Sequence, residues 1–179
     1  MEWIDVLTPE GAPTEQVMTK AEVHAQGAWH RAAHVWVQND QGHLLLQLRS
    51  PHKENDPNLW DVSVAGHVSA GESPRLSAQR EVAEEIGLAI TAGELQPLFV
   101  LREARTLNQG RYLDREFHHV FLLRRSPDLA QLTLQAEEVA AVRWVSLPQM
   151  ATWVAQRSPQ LVAHWEEYEA LLRFLEAEG

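Results

Sequence analysis

Between Ser73 and Gly87 the chain can do little other than form one helix, and that helix fixes where several acids must lie. Ser73 is an N-cap type, and Pro74 at the first helical position gives up only an N–H that has no intrahelical partner. Gly87 supplies the left-handed stop. At 100° per residue, Leu76, Val82, Ala83 and Ile86 fall within about 120° and form an apolar stripe. Glu81, Glu84 and Glu85 then share the opposite, solvent-facing side at spacings of three and four, so their carboxylates are neighbours.

Neighbouring like charges repel unless a cation sits among them. Two readings follow: a solvated acidic face, or a site for a hard divalent cation such as Mg²⁺ or Mn²⁺, which prefers clustered carboxylate oxygens. Arg80 precedes the first of these acids, and Glu72, in the approach to the helix, is placed to pair with it and fix the loop. The formal charge of −10 argues against nucleic acid or an anionic membrane surface as partner. An anionic substrate is repelled too, unless bound metal reverses the sign locally. With no cysteine in the chain, disulfides, thiolate ligands and a thiol nucleophile are excluded. No apolar run approaches 18 residues and no signal peptide is evident, so a cytoplasmic location is expected.

Gly66, Glu72, Arg80-Glu81-Val82, Glu84-Glu85 and Gly87-Leu88 stand at the spacings of the Nudix box, and the chain resembles the Nudix hydrolase superfamily in every fixed position of it. The resemblance implies an α/β/α sandwich with a mixed central sheet, the Gly66–Leu88 loop-helix-loop as catalytic platform, and Mg²⁺- or Mn²⁺-dependent hydrolysis of a small-molecule diphosphate. It implies metal ligation by Glu81, Glu84, Glu85, Gly66 and Glu116, with Glu72, Arg80 and Gly87 as structural members of the box. Glu84, Glu85, Glu116 and Glu138 are the candidate catalytic acids. Relatives often form homodimers.

Over roughly residues 1–150 the likeness extends to one branch, the isopentenyl-diphosphate isomerases and the hydrolases similar to them. It is carried by His30-Arg31-Ala32, Leu44 to Arg49, Pro57-Asn58-Leu59-Trp60 and Gly66-His67. Those isomerases have a proton-transferring cysteine just before the Gly-His pair, where this chain has Ala65, and they lose several box acids that this chain keeps. Both differences favour hydrolysis over isomerisation. A nucleotide-binding module without turnover is a third reading, opposed by the intact box. Arg49 and Lys53 match positions that hold a diphosphate in the branch, and Arg31 and His67 join them as candidate substrate contacts. His24, His30, His67 and Glu116, with Asp114, match its second metal site. His24 is displaced by one residue in spacing, which favours an ordinary surface role for it, and the same is expected of His118. His118 and His119 alternate across a strand, so at most one faces the site. Trp29, Trp60 and Tyr112 lie in or beside loops, as candidates for base stacking or for loop anchoring. Nucleoside di- or triphosphates or related nucleotide derivatives are the expected substrates.

The rest reads as one domain over 1–179. Residues 1–30 form an N-terminal extension packed on it: a strand Trp3 to Leu7, a turn from Thr8 to Pro13, and a capping box at Thr19 and Glu22 opening a short helix. Strands are expected at Ala32 to Val37 and His43 to Leu48 around the Asn39-to-Gly42 turn, then at Asp61 to Ala65, Leu95 to Arg102, Glu116 to Leu123 and Val139 to Val145. Residues 50–58 and 103–115 read as loops, the second mobile, and both as seats of selectivity. A helix starts at Ser146-Leu147-Pro148. A C-terminal amphipathic helix is expected within 159–179, from Leu161 to Glu178.

Overall fold

The computed structural model describes residues 1–179 throughout. Strands β1 (Trp3–Leu7) and β2 (Pro13–Thr19) pair antiparallel as a small separate sheet. Helix α1 (Lys20–Gln26) follows, capped by Thr19 and Glu22 in a complete capping box and ended by Gly27 at φ +66°. The second sheet collects β3 (His30–Gln38), β4 (Leu44–Arg49), β5 (Trp60–Asp61), β6 (Val64–His67), β7 (Leu95–Leu107), β8 (Tyr112–Arg124) and β9 (Val139–Val145). Its main order is β5-β4-β3-β8-β7, with β6 on β3 and β9 on β4. Only β3 and β8 pair in parallel; the other pairs are antiparallel, so the sheet is mixed.

The strict alternation of β3 and β8 decides which residues each face receives. Ala33, Val35, Val37, Phe121 and Leu123 meet Ala78, Val82 and Ile86 of helix α2 (Pro74–Ile86). Trp36, Val120 and Leu122 face the other way, toward Met150 and Val154 of α3 (Leu147–Ala155) and Tyr168, Leu171 and Leu175 of α4 (Trp165–Glu178). The result is the expected α/β/α sandwich. Burying Leu171 and Leu175 alone contributes about 1.5–3 kcal/mol each. No helix is long and apolar enough to cross a membrane.

Several expectations need correction. Pro13–Thr19 is a strand, because β1 offers it an antiparallel partner from Trp3↔Thr19 to Leu7↔Pro13. The strand expected at 61–65 is broken in two. Ser63 at the break donates its hydroxyl to Leu45 O (2.6 Å) and accepts from Val37 N (2.8 Å), so β5 pairs with β4 while β6 pairs with β3. The loop expected over 103–115 is mostly strand. Pairing of β7 with β8 continues to Leu107↔Tyr112, and only residues 108–111 turn, with Asn108, Gln109 and Gly110 all at positive φ. The C-terminal helix starts at Trp165 rather than Leu161, since Leu161 bridges Trp60 and Val162 N donates to Trp60 O. Finally, α2 is rotated from its expected setting. Leu76 and Ala83 are exposed, and Ser77, Ala78, Val82, Glu85 and Ile86 are the buried side.

Candidate active site

That rotation carries Glu81 and Glu85 out of bulk solvent and to the wall of a cleft of about 920 Å³. Glu85 is 3% exposed; its Oε2 accepts from Gln47 Nε2 (2.8 Å) and from Ala65 N (3.3 Å). Burial, followed by the charge of Glu81, pushes its carboxyl up to about 8. Burial raises Glu81 as well. Glu84 stays exposed at the rim. Arg80 binds this group together: Nη1 donates to Glu81 (2.6 Å) and Glu84 (3.3 Å), and Nη2 to Glu72 (3.2 Å) and Ser69 Oγ (3.2 Å). Glu72 thus fixes the loop as expected, and it also accepts from Ser77 Oγ (2.5 Å).

Gly66 lies directly against Glu81. A Cβ there would overlap the Glu81 side chain, with Cγ only 2.6 Å away. The missing side chain is therefore what allows this carboxylate to lie across the β6 backbone. Gly87 closes the helix at φ +67° with Thr133 O 2.9 Å from where a Cβ would be. Two carboxylates on one wall, Glu85 without a salt-bridge partner, with the main chain of Gly66 beside them, suit a hard divalent cation by donor type.

A second group of donors converges beside the first. His24 Nε2 and His67 Nε2 are 3.1 Å apart, His30 Nε2 is 3.2 Å from Glu116 Oε1, and His67 Nε2 is 3.3 Å from the same oxygen. A tetrahedral ion with bonds near 2.0–2.1 Å needs donors about 3.3 Å apart, so the set has the spacing of such a site. The other nitrogens differ: His30 Nδ1 donates to Ala28 O (2.9 Å), His67 Nδ1 faces Glu2 (3.6 Å) and His24 Nδ1 faces Asp114 (3.4 Å). His24 Nδ1 and Asp114 Oδ1 are buried and have no hydrogen bond. Burial, then His67, holds His24 down to about 3; Glu116 and Glu2 outweigh burial at His67 and hold it up to about 9. Burial, then Glu116, pushes Asp114 up to about 6. For Glu116, bonds from His118, His30 and His67 outweigh burial and keep its carboxyl well below the usual range.

Residues 28–165 match the NUDIX domain. The chain belongs to the Nudix family. It is 40% identical over 167 residues to Nudix hydrolase 3 of Arabidopsis thaliana, covering 91% of this chain but only 22% of that protein's length. It is 31% identical over 153 residues to an isopentenyl-diphosphate Delta-isomerase of Burkholderia multivorans, covering 83% of this chain and 80% of the relative. A crystal structure of a Deinococcus radiodurans protein shares the fold, with a TM-score of 0.73 at 21% identity over 94% of this chain and 98% of that one.

In this Nudix fold the remaining candidates part company. Lys53 and Glu138 line the cleft and form an ion pair with each other. Arg49 also lines it, with its guanidinium engaged by Asn55 O (2.9 Å), Asp56 O (3.1 Å) and Asp61 (3.1 Å). Tyr112 is in the cleft too, but one ring face is taken by His24, stacked at 4.0 Å. Arg31 is not at the cleft: it alternates with His30 and shares the α2 face with Ala33. Trp60 and Trp29 are also elsewhere. Arg143 stacks on Trp60 at 4.0 Å and Arg102 on Trp29 at 3.9 Å, so both tryptophans anchor structure.

His24 is buried in the site, against the expectation of a surface role, because α1 and its Gly27 stop turn it inward. His118 is likewise buried, while His119 alternates to the other face. Sequence reasoning missed His34, His164, Glu103 and Glu167, which continue the polar chain away from Glu116. The available signal was an acid at the apolar spacing of a helix, since Glu167, Leu171 and Leu175 lie four apart.

Proposed function

We infer that this chain hydrolyses a diphosphate linkage in a small polar molecule with the help of Mg²⁺ or Mn²⁺, nucleoside di- or triphosphates and related nucleotide derivatives being the leading class. The observation that carries this reading is the half-buried Glu81 lying across Gly66, with the buried Glu85 beside it accepting from Ala65 N. Glu81, Glu84, Glu85 and the Gly66 main chain would hold the ion, which when bound supplies charge to offset the phosphate oxygens and a water acidic enough to attack phosphorus. Arg80 holds Glu81 and Glu84 in place and ties them to Glu72. Glu116 is tied to three histidines and Glu138 to Lys53, which leaves the α2 carboxylates to accept the proton. Arg49 and Lys53 line the same cleft, where a diphosphate would compete with Asp61 and Glu138 for their positive charge. His24, His30, His67 and Glu116 would hold a second ion of transition-metal type. The lining is mostly polar or charged, with small apolar contributions such as Ala32, Ala65 and Val162. That suits a hydroxyl-bearing moiety better than a hydrocarbon tail.

The test is phosphate and pyrophosphate release from a panel of nucleoside phosphates, nucleotide sugars, dinucleotides and small diphosphates, with Mg²⁺, with Mn²⁺ and with chelator. Metal-dependent turnover of one class is expected, and Glu84→Gln or Glu85→Gln should each lower it at least tenfold; a smaller loss removes the assignment. Isomerisation of isopentenyl diphosphate is the second reading, favoured by the histidine set and the isomerase relative. Ala65 opposes it, as a methyl group exchanges no proton. Isomer without phosphate release, seen by NMR, would install it instead.

A further inference from the structure

The histidine set is connected to the C-terminal helix by a line of buried bonds. Glu116 Oε1 faces His30 and His67, while its Oε2 accepts from His118 Nε2 at 2.9 Å. The other nitrogen of His118, Nδ1, donates to Glu167 Oε2 at 3.2 Å. Glu167 belongs to α4 and is 1% exposed. It also accepts from His34 Nδ1 (2.8 Å) at the same oxygen and from Trp36 Nε1 (2.9 Å) at Oε1. Both ring nitrogens of His118 and both oxygens of Glu167 are therefore committed, and neither side chain can turn without breaking a buried hydrogen bond.

We propose that Glu167, acting through His118, positions Glu116 as a ligand of the histidine site, which makes the C-terminal helix part of that site. This rests on the reading of His24, His30, His67 and Glu116 as a metal site. Glu167 lies beyond the stretch matched by the family, which ends at residue 165. A carboxylate held at one oxygen by a fixed donor presents the other in one direction. Removing such an outer support lowers metal affinity tenfold to a hundredfold in well-studied sites. Glu167 is a positioning residue: it does not line the cleft and reaches Glu116 only through His118.

The experiment is a Co²⁺ titration of the full chain, followed by visible absorption, with excess Mg²⁺ present to fill the α2 carboxylates. Nitrogen-rich tetrahedral Co²⁺ absorbs strongly and oxygen-bound six-coordinate Co²⁺ weakly, so the bands report the histidine site. Glu167→Gln keeps the volume but sets an amide N–H against an imidazole N–H. It is expected to weaken Co²⁺ binding about tenfold to a hundredfold and to alter the band shape. Tyr168→Phe is the control, as it removes a buried bond of the same helix (to Val162 O, 2.9 Å) without touching the line to Glu116. It should melt lower and bind Co²⁺ as the parent does. Unchanged affinity in Glu167→Gln overturns the proposal and leaves the histidine site standing. Equal losses in both variants overturn it too, by reducing Glu167 to helix docking. A parent that gives no strong bands overturns the histidine site, and this inference with it. Should Glu167→Gln fail to fold, Trp36→Phe loosens Glu167 without altering charge; severalfold weaker binding is then expected, and parent-like binding counts against the proposal.

Discussion

Gly66→Ala offers the sharpest test of the platform, because its effect is set by one clash. The new Cβ would lie 2.6 Å from Glu81 Cγ and nearer still to the carboxyl carbon. Unbonded carbons rest about 3.5–4.0 Å apart, so the Glu81 side chain must recede by at least about 1 Å. It can do so, being the end of a flexible chain, and an Ala in an ordinary strand conformation costs the fold little or even adds about 0.4–1 kcal/mol by restricting the unfolded chain. Stability should therefore hold while the carboxylate moves off position and strains its 2.6 Å bond to Arg80. A displacement of about 1 Å at a catalytic group costs on the order of a hundredfold in rate, about 2.7 kcal/mol of barrier. The assay is initial hydrolysis rate against Mg²⁺ concentration, with a thermal melt on the same sample. Expected are a rate loss of about a hundredfold, a weaker Mg²⁺ requirement curve and a Tm within a few degrees of the parent. Glu81→Asp, one methylene shorter, should recover part of the loss in the Gly66→Ala background, giving a coupling of about 0.5–3 kcal/mol between the two sites. A rate within threefold of the parent refutes the reasoning. So does a rate loss accompanied by collapse of the melt, since the backbone and not Glu81 would then have yielded.

Two further outcomes follow from the geometry. At His164, burial would lower the imidazole pKa, but the 2.9 Å bond to Glu103 and the charge of Asp61 outweigh it and raise the value. A raised folded-state value gives stability that is complete below about pH 6.5 and is lost as pH rises through the folded value. Thermal melts from pH 6 to 9 should show a decline that His164→Gln makes shallower; parallel slopes would refute the assignment. Arg49→Lys keeps the charge but not the fork that holds Asn55 O, Asp56 O and Asp61. Faster proteolytic cutting within residues 50–58 and a KM raised about tenfold are expected, and an unchanged KM with an intact loop would show that the fork is dispensable.

What could be read beforehand was what is written locally. Ser73, Pro74 and Gly87 define α2 within a single stretch of chain, and the box acids are fixed relative to one another by helical spacing. The angle of that helix about its own axis was not legible. Glu85 is buried because Gln47 and Ala65, distant in sequence, offer it donors. The outer part of the β7–β8 hairpin, residues 103–115, reads as a loop because it is polar, yet its strands carry Arg105 and Asp114 toward a wet cleft rather than a core. Period two with charge in the inward place is hard to tell from a loop. Spacing alone likewise misjudged His24, whose direction depends on where α1 stops. Arg31, though, could have been placed from alternation with His30. Glu167 had no local reason to be charged, and its partners come from β3 and β8.

The two donor sets differ in how they are held, and so in how far each can travel through evolution. The carboxylates come from 13 residues of one capped helix, and a segment carrying them keeps their mutual arrangement wherever its apolar side finds a sheet. The histidines and Glu116 come from α1, β3, β6 and β8, with residue numbers running from 24 to 116. Any single insertion that slips one of those strands by a residue turns its ligand to the opposite face. The first set is portable. The second is a property of the whole chain and is dismantled by small changes in length that the first would survive.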